Sequence, residues 1–212
     1  MTPTATPPTI RPARREDIPA LAQVMARAFA QDPFFSWFAG PGPGVPERMR
    51  TGWNGLLRHA SAGLTATYTT TDLAGAAMWI PPGGKASTTL DSLRLTPTLI
   101  RLTGWSRLRE VASVLETMES RRHHHLAEPH AYLSALGVDQ GRQGQGIGSA
   151  LVRPMLDRCD RDGIPAYLET ATARNVVLYE RLGFETVERL TIPGTDVSGW
   201  LMVRHPSVMV AA

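Results

Sequence analysis

The chain contains very little cysteine and lysine. Cys159 is the one cysteine of the 212 residues, and Lys85 is the one lysine among 22 basic residues. A single cysteine excludes an internal disulfide and a metal site built from several thiolates. The arginines are mostly scattered and the formal net charge is only +3, so the composition does not indicate binding to nucleic acid.

Long apolar runs are also missing. No stretch approaches the roughly 18 consecutive apolar residues that span a bilayer, so no membrane partner is expected. The N-terminus lacks a basic segment followed by an apolar one, which a secretory signal would have. These absences predict a cytoplasmic protein. The hydrophobic fraction of 42% suffices for a core, and we expect one domain over 9–206 with tails at 1–8 and 207–212, the first of them disordered.

The order of the predicted elements indicates an α/β domain of the α+β type. The predicted strands lie near 10–13, 64–70, 73–80, 131–138, 165–170, 184–191 and 199–204. The predicted helices lie near 17–29, 46–61, 90–122, 146–161 and 174–182, with breaks near Pro97 and Gly104. Segment 131–170 is a β-α-β unit, so its two strands should pair in parallel. The strands at 64–70 and 73–80 form a hairpin and should pair antiparallel. The sheet of about seven strands must therefore be mixed.

Glycine is concentrated in one turn, at positions 141, 144, 146 and 148, between a strand ending at Val138 and an apolar helix. Because glycine has no Cβ, a ligand can lie against its backbone. The first N–H groups of a helix are unpaired and carry the positive end of the helix dipole, which together favour phosphate. The alternative is a turn that only connects strand and helix. Such a turn does not need four glycines, and each of them adds to the conformational entropy lost on folding.

Three phosphate-binding motifs compete for this turn. A P-loop is excluded because Ile147 stands where its lysine must be. A dinucleotide fingerprint starting at Gly144 ends on Ser149; Glu169 would suit its ribose ligand, but the unit does not open its domain. The third pattern, Gln/Arg-x-x-Gly-x-Gly/Ala, is matched at every position. Its residues are Gln143, Gly144, Gln145, Gly146, Ile147 and Gly148.

This third pattern resembles the GNAT acetyltransferases. The resemblance implies a GNAT fold, with a mostly antiparallel sheet that contains a splayed parallel pair. It implies that residues 143–149 wrap the pyrophosphate of acetyl-CoA, the co-substrate. It further implies that the preceding strand presents backbone groups to the pantetheine arm, at Leu136, Gly137 and Val138.

A second motif, Asn…Tyr-Glu-x-x-Gly-Phe, spans residues 175–184. Asn175 and Tyr179 are four residues apart, so they share one helix face. The resemblance implies that Asn175 contacts the pantetheine arm and that the Tyr179 hydroxyl lies near the thioester sulfur. A phenol in that place can protonate the leaving thiolate. The alternative for Tyr179 is a core residue packed between helix and sheet.

Glu169 lies near the end of an otherwise apolar predicted strand. Burial would raise the pKa of its carboxyl group toward that of a useful base. An amine acceptor arrives largely protonated at neutral pH, so a base has a clear purpose. The alternative is a carboxylate that pairs with a nearby arginine such as Arg174.

The acceptor side carries weaker signals. An aromatic cluster at 34–38 is expected to contribute Phe34 and Trp37 to the acceptor pocket, and the helical stretch 85–128 is expected to cover it. The run His123–His125 is more typical of a solvated helix end than of a metal site, so no metal is expected. Cys159 is expected in the core.

Residues 130–204 also resemble the antibiotic-inactivating acetyltransferases of the puromycin N-acetyltransferase type, through motifs such as YERLGF. This resemblance implies acetyl transfer to a primary amine of a small molecule, for example an aminonucleoside-type antibiotic. Two other hypotheses remain: acetylation of a protein lysine or N-terminus, and a non-catalytic acyl-CoA sensor. The chain is expected to be a monomer or a homodimer.

Overall fold

The computed structural model describes residues 7–60, 66–82, 89–192 and 195–207, with only the backbone described at 89–95. Seven strands lie in these residues: β1 Ile10–Pro12, β2 Ala66–Thr70, β3 Gly75–Ile80, β4 Ala131–Val138, β5 Ala166–Thr170, β6 Glu185–Thr191 and β7 Ser198–Arg204. The same residues form seven α-helices: α1 Ile18–Ala28, α2 Pro33–Ala39, α3 Val45–His59, α4 Thr89–Thr103, α5 Leu108–His125, α6 Ile147–Asp162 and α7 Ala173–Glu180.

The strands form one sheet in the order β1-β2-β3-β4-β5-β7-β6. Strands β4 and β5 are parallel, and every other neighbouring pair is antiparallel. The crossover between the parallel strands is α6, as the β-α-β pattern predicts. The predicted mixed, mostly antiparallel sheet of seven strands is confirmed.

The parallel pair separates after three residues. Residues 131–133 of β4 pair with 166–168 of β5, and the ladder ends there although β4 continues to Val138. On its other side β4 remains paired with β3, but the register shifts between Met78 and Trp79, and Ser134 becomes the extra residue. Because a bulge bends its strand, β4 leaves β5, and a gap opens between their carboxyl ends.

Helices cover both faces of the sheet. On one face α6 and α7 pack on the strands, and buried Leu151 and Met155 join Leu168 in a common cluster. On the other face α1 and α3 place Met25 and Trp53 in a cluster with residues of β3. The gap between β4 and β5 therefore opens toward both helical layers.

Three features near the helices differ from the sequence expectations or refine them. The aromatic cluster forms helix α2, in which Asp32 is the N-cap and Pro33 the first residue, a combination that favours helix initiation. The break expected near Pro97 is absent: α4 continues through this residue, although an interior proline removes one backbone hydrogen bond from a helix. The break at Gly104 is confirmed, with a φ of 79°.

Several predicted segments fall outside the described residues. These are 61 and 64–65 at the borders of a helix and a strand, 85–88 of the helical stretch, and the tails apart from 7–8 and 207. Within the part of the chain that the structure does describe, no helix combines the length and the apolar character needed to cross a bilayer.

Candidate active site

A cavity occupies the gap between β4 and β5. Its polar lining consists of Asp32, Tyr132, Ser134, Glu169, Thr170, Asn175, Tyr179 and Ser198. Three phenylalanines form an apolar wall: Phe29, the C-cap of α1, and Phe34 and Phe35 of α2. The cavity thus combines titratable groups with an aromatic surface, which is the usual composition of a small-molecule site.

The glycine loop lies beyond the end of β4, where a 3-10 turn at Gln140–Arg142 leads to α6. Gly144 and Gly146 both have a φ of 77°, and a Cβ at either position would meet no atom within 4 Å. The sequence favours glycine here because other residues rarely adopt this φ. The outer surface of the loop is therefore open backbone.

The N-terminus of α6 has no side-chain cap among the described residues, because its N-cap is Gly146. The first backbone hydrogen bond of the helix runs from the Ala150 N–H to the Gly146 carbonyl, at 3.0 Å. The N–H groups of residues 147–149 therefore have no partner inside the helix. Together with the helix dipole they form a ready anion site that fits a pyrophosphate.

Side chains hold this loop from behind. Arg142 binds Asp72 of the β2–β3 turn, with 2.8 Å between Nη1 and Oδ2. Gln143 donates from Nε2 to the Val138 carbonyl at 3.2 Å. Arg27 of α1 binds Asp139 at 2.6 Å and thereby holds the pKa of that carboxyl below its ordinary value. These contacts position the loop without filling its open surface.

Tyr179 lies on α7 with only 5% of its surface exposed, and it still lines the cavity. Its ring contacts Phe184 edge-on with centroids 5.9 Å apart. Burial raises the pKa of the phenol well above its ordinary value, and the charge of Asp32 raises it further. Asn175, one turn earlier, donates from Nδ2 to Thr170 Oγ1 at 3.4 Å. The phenol is therefore neutral at physiological pH, and both predicted residues face the same cavity.

Glu169 lines the cavity from β5. Burial raises the pKa of its carboxyl to about 7, against the opposing effects of the Tyr132 phenol, the Arg122 guanidinium and the Tyr167 phenol. Among the described residues it forms no ion pair within 4 Å, and Arg174, the example of a partner that the alternative hypothesis named, is exposed. The carboxyl is therefore poised to exchange a proton near neutral pH.

Arg122 contributes a positive charge that acts on this carboxylate and lowers its pKa. It is buried, its guanidinium lies 4.5 Å from the centroid of the Tyr132 ring, and it binds Glu119 one helical turn away. Because the guanidinium is already paired with Glu119, it moderates the Glu169 charge without neutralising it.

Asp32 is a cavity residue that sequence reasoning missed. Its Oδ1 caps α2 by accepting the Phe35 N–H at 3.0 Å, while its Oδ2 faces Thr172 Oγ1 at 3.5 Å. Burial raises the pKa of this carboxyl, and the N–H groups at the start of α2 partly offset that effect. The available signal was the pair Asp32–Pro33 ahead of an aromatic run, which is typical of a helix start.

The two predicted acceptor residues lie in different places. Phe34 is in the lining of the cavity, whereas Trp37 lies outside it. The Trp37 ring packs against Arg107, with 5.0 Å from the guanidinium carbon to the ring centroid. Phe29 and Phe35 line the cavity although the sequence did not distinguish them from core residues.

The histidine run and the cysteine lie away from the cavity. His123 and His125 are in the last turn of α5 and pair with Glu119 at 3.0 Å and Glu188 at 2.6 Å. In the described parts of the chain, no three metal-binding side chains are grouped. Cys159 is buried on α6, and burial raises the pKa of its thiol to about 11, so it stays protonated.

Sequence comparison identifies relatives of this chain. The profile of the Acetyltransferase (GNAT) family matches residues 43–184, more than half of the chain. An uncharacterized N-acetyltransferase of Schizosaccharomyces pombe is 31% identical over 142 residues, which are 64% of this chain and 58% of the yeast protein. The chain thus spans less than two thirds of the length of that relative.

Solved structures with the same fold include two of clear similarity. One is a structure from Corynebacterium glutamicum described as "histone acetyltransferase HPA2 and related acetyltransferase". It has a TM-score of 0.72 at 22% identity, and the match covers 97% of this chain and 100% of the Corynebacterium chain. Arylalkylamine N-acetyltransferase 2 from Aedes aegypti has a TM-score of 0.63 at 13% identity, covering 95% and 100%. These likenesses concern the fold. Taken with the family match, they lead to one conclusion: the chain belongs to the GNAT family of acetyltransferases.

Proposed function

We propose that the protein transfers the acetyl group of acetyl-CoA to a primary amine of a small molecule. The observation that carries this proposal is the gap between β4 and β5. It has an open anion site at one end, and its lining includes a neutral phenol and two partly buried carboxyl groups. Each step of the transfer has a matching group in this gap.

The cofactor side uses backbone groups. The free N–H groups at the start of α6 bind the pyrophosphate, and the open glycines at 144 and 146 let it approach. Residues 134–138 of β4 have no ladder with β5, so this edge offers its backbone groups to the amides of the pantetheine arm. Asn175 lies across the gap and contacts the same arm.

The transfer itself uses Glu169 and Tyr179. Glu169 accepts a proton from the ammonium group of the acceptor, which its pKa of about 7 allows at neutral pH. The free amine then attacks the thioester carbonyl, and backbone N–H groups near Val138 stabilise the oxyanion. The C–S bond breaks, and Tyr179, whose high pKa keeps it protonated until then, donates its proton to the sulfur.

The walls of the cavity support a small acceptor with an apolar part. Phe29, Phe34 and Phe35 form one side, and Met118 of α5 closes another. A protein substrate would need an open groove, whereas an aromatic wall of this kind favours a small acceptor. The Aedes relative is named for action on arylalkylamines, and such molecules join a flat apolar body to a primary amine. An aminonucleoside antibiotic has the same two parts and is the acceptor that the resemblance of residues 130–204 predicts.

A thiol-release assay tests this proposal. Acetyl-CoA is incubated with the protein and a panel of arylalkylamines, polyamines, aminonucleosides and peptides, and released CoA is measured together with the acetylated product. We expect release with at least one small amine and none with peptides. Release with peptides alone would support a protein acetyltransferase. Binding of acetyl-CoA without release for any acceptor would support a sensor.

A further inference from the structure

The reaction leaves one proton without an acceptor. An ammonium nitrogen loses two protons when it becomes an amide, one before it attacks and one from the tetrahedral intermediate. The sulfur gains one proton and the solvent receives the other. Glu169 accepts the first of the two protons. Tyr179 donates the proton that the sulfur gains, and its phenolate must then be reprotonated. A second group is therefore needed that can take a proton from nitrogen and return one to the phenolate.

Asp32 lies in the cavity in which this task would be carried out. It lines the same cavity as Tyr179 and Glu169, although it comes from a different helical layer. In its capping role, Oδ1 accepts the Phe35 N–H at 3.0 Å. Among the described residues, Oδ2 accepts one side-chain hydrogen bond, a long one of 3.5 Å from Thr172, the N-cap of the helix that carries Tyr179. One carboxylate oxygen thus remains available to the cavity.

The environment of Asp32 makes it an adequate proton carrier. A buried carboxylate without full pairing is costly, and the cost raises its proton affinity. The direction is seen here, because burial raises the pKa of Asp32. Its negative charge also keeps the Tyr179 phenol protonated before the transfer. The two groups are electrostatically coupled, as proton partners must be.

We propose that Asp32 accepts the second proton from the acceptor nitrogen and returns a proton to Tyr179. This role rests on the proposed function. The N–H bond of the intermediate breaks, its electron pair stays on nitrogen, and an O–H bond forms on Asp32. Tyr179 gives its proton to the thiolate, and Asp32 then gives its own to the phenolate. Both groups end as they began, and the net proton leaves through Glu169.

A double-mutant cycle tests this role. Asp32→Asn removes the charge and keeps the cap, because asparagine caps helices as well as aspartate does. We expect kcat to fall about 100-fold, with the KM for acetyl-CoA and the melting temperature unchanged. In a Tyr179→Phe background, which has no phenolate to reprotonate, the same change should cost clearly less than about 100-fold, because only the acceptance of the nitrogen proton is then lost. Asp32→Ser, which also caps, should behave like Asp32→Asn.

Three results would overturn the role of Asp32. An unchanged kcat in Asp32→Asn would leave it as a helix cap. A raised KM for the acceptor with an unchanged kcat would make it an anchor for the ammonium group. Equal losses with and without Tyr179 would show that the two groups act independently. A wild-type protein that releases no CoA with any amine would instead contradict the proposed function itself.

Discussion

The two sides of the β4–β5 gap are built in different ways. The proposed cofactor side consists mainly of backbone groups from one continuous segment, 136–149, with Asn175 facing it. The acceptor side consists of side chains from distant segments; Asp32 and Thr172, which contact each other there, are 140 residues apart. The first side should therefore hold the same ligand in any variant that keeps its glycines. The second can change its acceptor through single side-chain replacements.

The largest effect should come from a side chain placed on the cofactor loop. Gly146→Asp adds a carboxylate where the pyrophosphate is expected, and we expect acetyl-CoA affinity to fall at least about 100-fold, or roughly 2.7 kcal/mol. Calorimetric titration measures this directly. The matched control is Gly163→Asp at the other end of α6, where φ is 68° and a Cβ also meets nothing within 4 Å. Equal losses in both variants would mean that backbone strain, and not the anion site, is responsible.

Tyr179→Phe tests the chemical step, where the two sides meet. The ring and its packing against Phe184 remain, but the proton donor is lost, so kcat should fall about 100-fold with little change in acetyl-CoA affinity. Tyr68→Phe on β2, far along the sheet, is the control and should leave kcat unchanged. Normal turnover in Tyr179→Phe would make this residue a core tyrosine only.

Glu169→Gln tests the base on the acceptor side. In the wild type we expect kcat/KM to rise with pH through about 7, because only the ionised carboxylate accepts a proton. In the variant, kcat/KM should no longer rise with pH through about 7 and should instead follow only the fraction of the acceptor that is free amine. The loss should be largest, at roughly 10–100-fold, between pH 7 and the pKa of the amine, and should shrink above it. A uniform loss at every pH would contradict the role of general base.

Variants of Phe34 and Trp37 distinguish a residue that lines the acceptor pocket from one that only packs in the structure. Phe34→Ala removes part of the apolar wall and should raise the acceptor KM about 10-fold, equivalent to roughly 1.4 kcal/mol. Trp37→Ala should leave that KM unchanged and lower the melting temperature, because its ring packs on Arg107. A raised KM in Trp37→Ala would place this residue in the pocket after all.

The last expected effect concerns stability rather than activity. Because the folded pKa of Glu169 is raised to about 7, the folded state binds its proton more tightly than the unfolded state does. The resulting stability is complete below about pH 4.5 and is lost as pH rises through 7. Glu169→Gln removes that loss, so at pH 8 it should unfold with a free energy higher than that of the wild type by on the order of 1–3 kcal/mol. Denaturant titrations at pH 5 and pH 8 check the difference.

The same division explains what the sequence could predict. Local sequence patterns predict the order of strands and helices, the parallel pair and the start of α6. The helix is predicted to begin at 146, and in the structure it begins about one residue later, at Ile147. Glycines mark backbone geometry directly, so the cofactor loop was visible in one short segment. The role of Asp32 was not, because burial and its contact with Thr172 arise only when α2 packs near β5. Trp37 and Phe34 looked alike in sequence, and only packing against Arg107 distinguishes them.

One measurement tests the central claim most directly: amide NMR of the glycine loop during titration with CoA and, separately, with pantetheine, which lacks the pyrophosphate. If backbone N–H groups of residues 144–149 hold the pyrophosphate, CoA should shift their resonances strongly and slow their hydrogen exchange. Pantetheine should shift residues 136–138 and Asn175 and leave the loop nearly unchanged. Binding of CoA that leaves the amides of 144–149 unshifted would contradict the account.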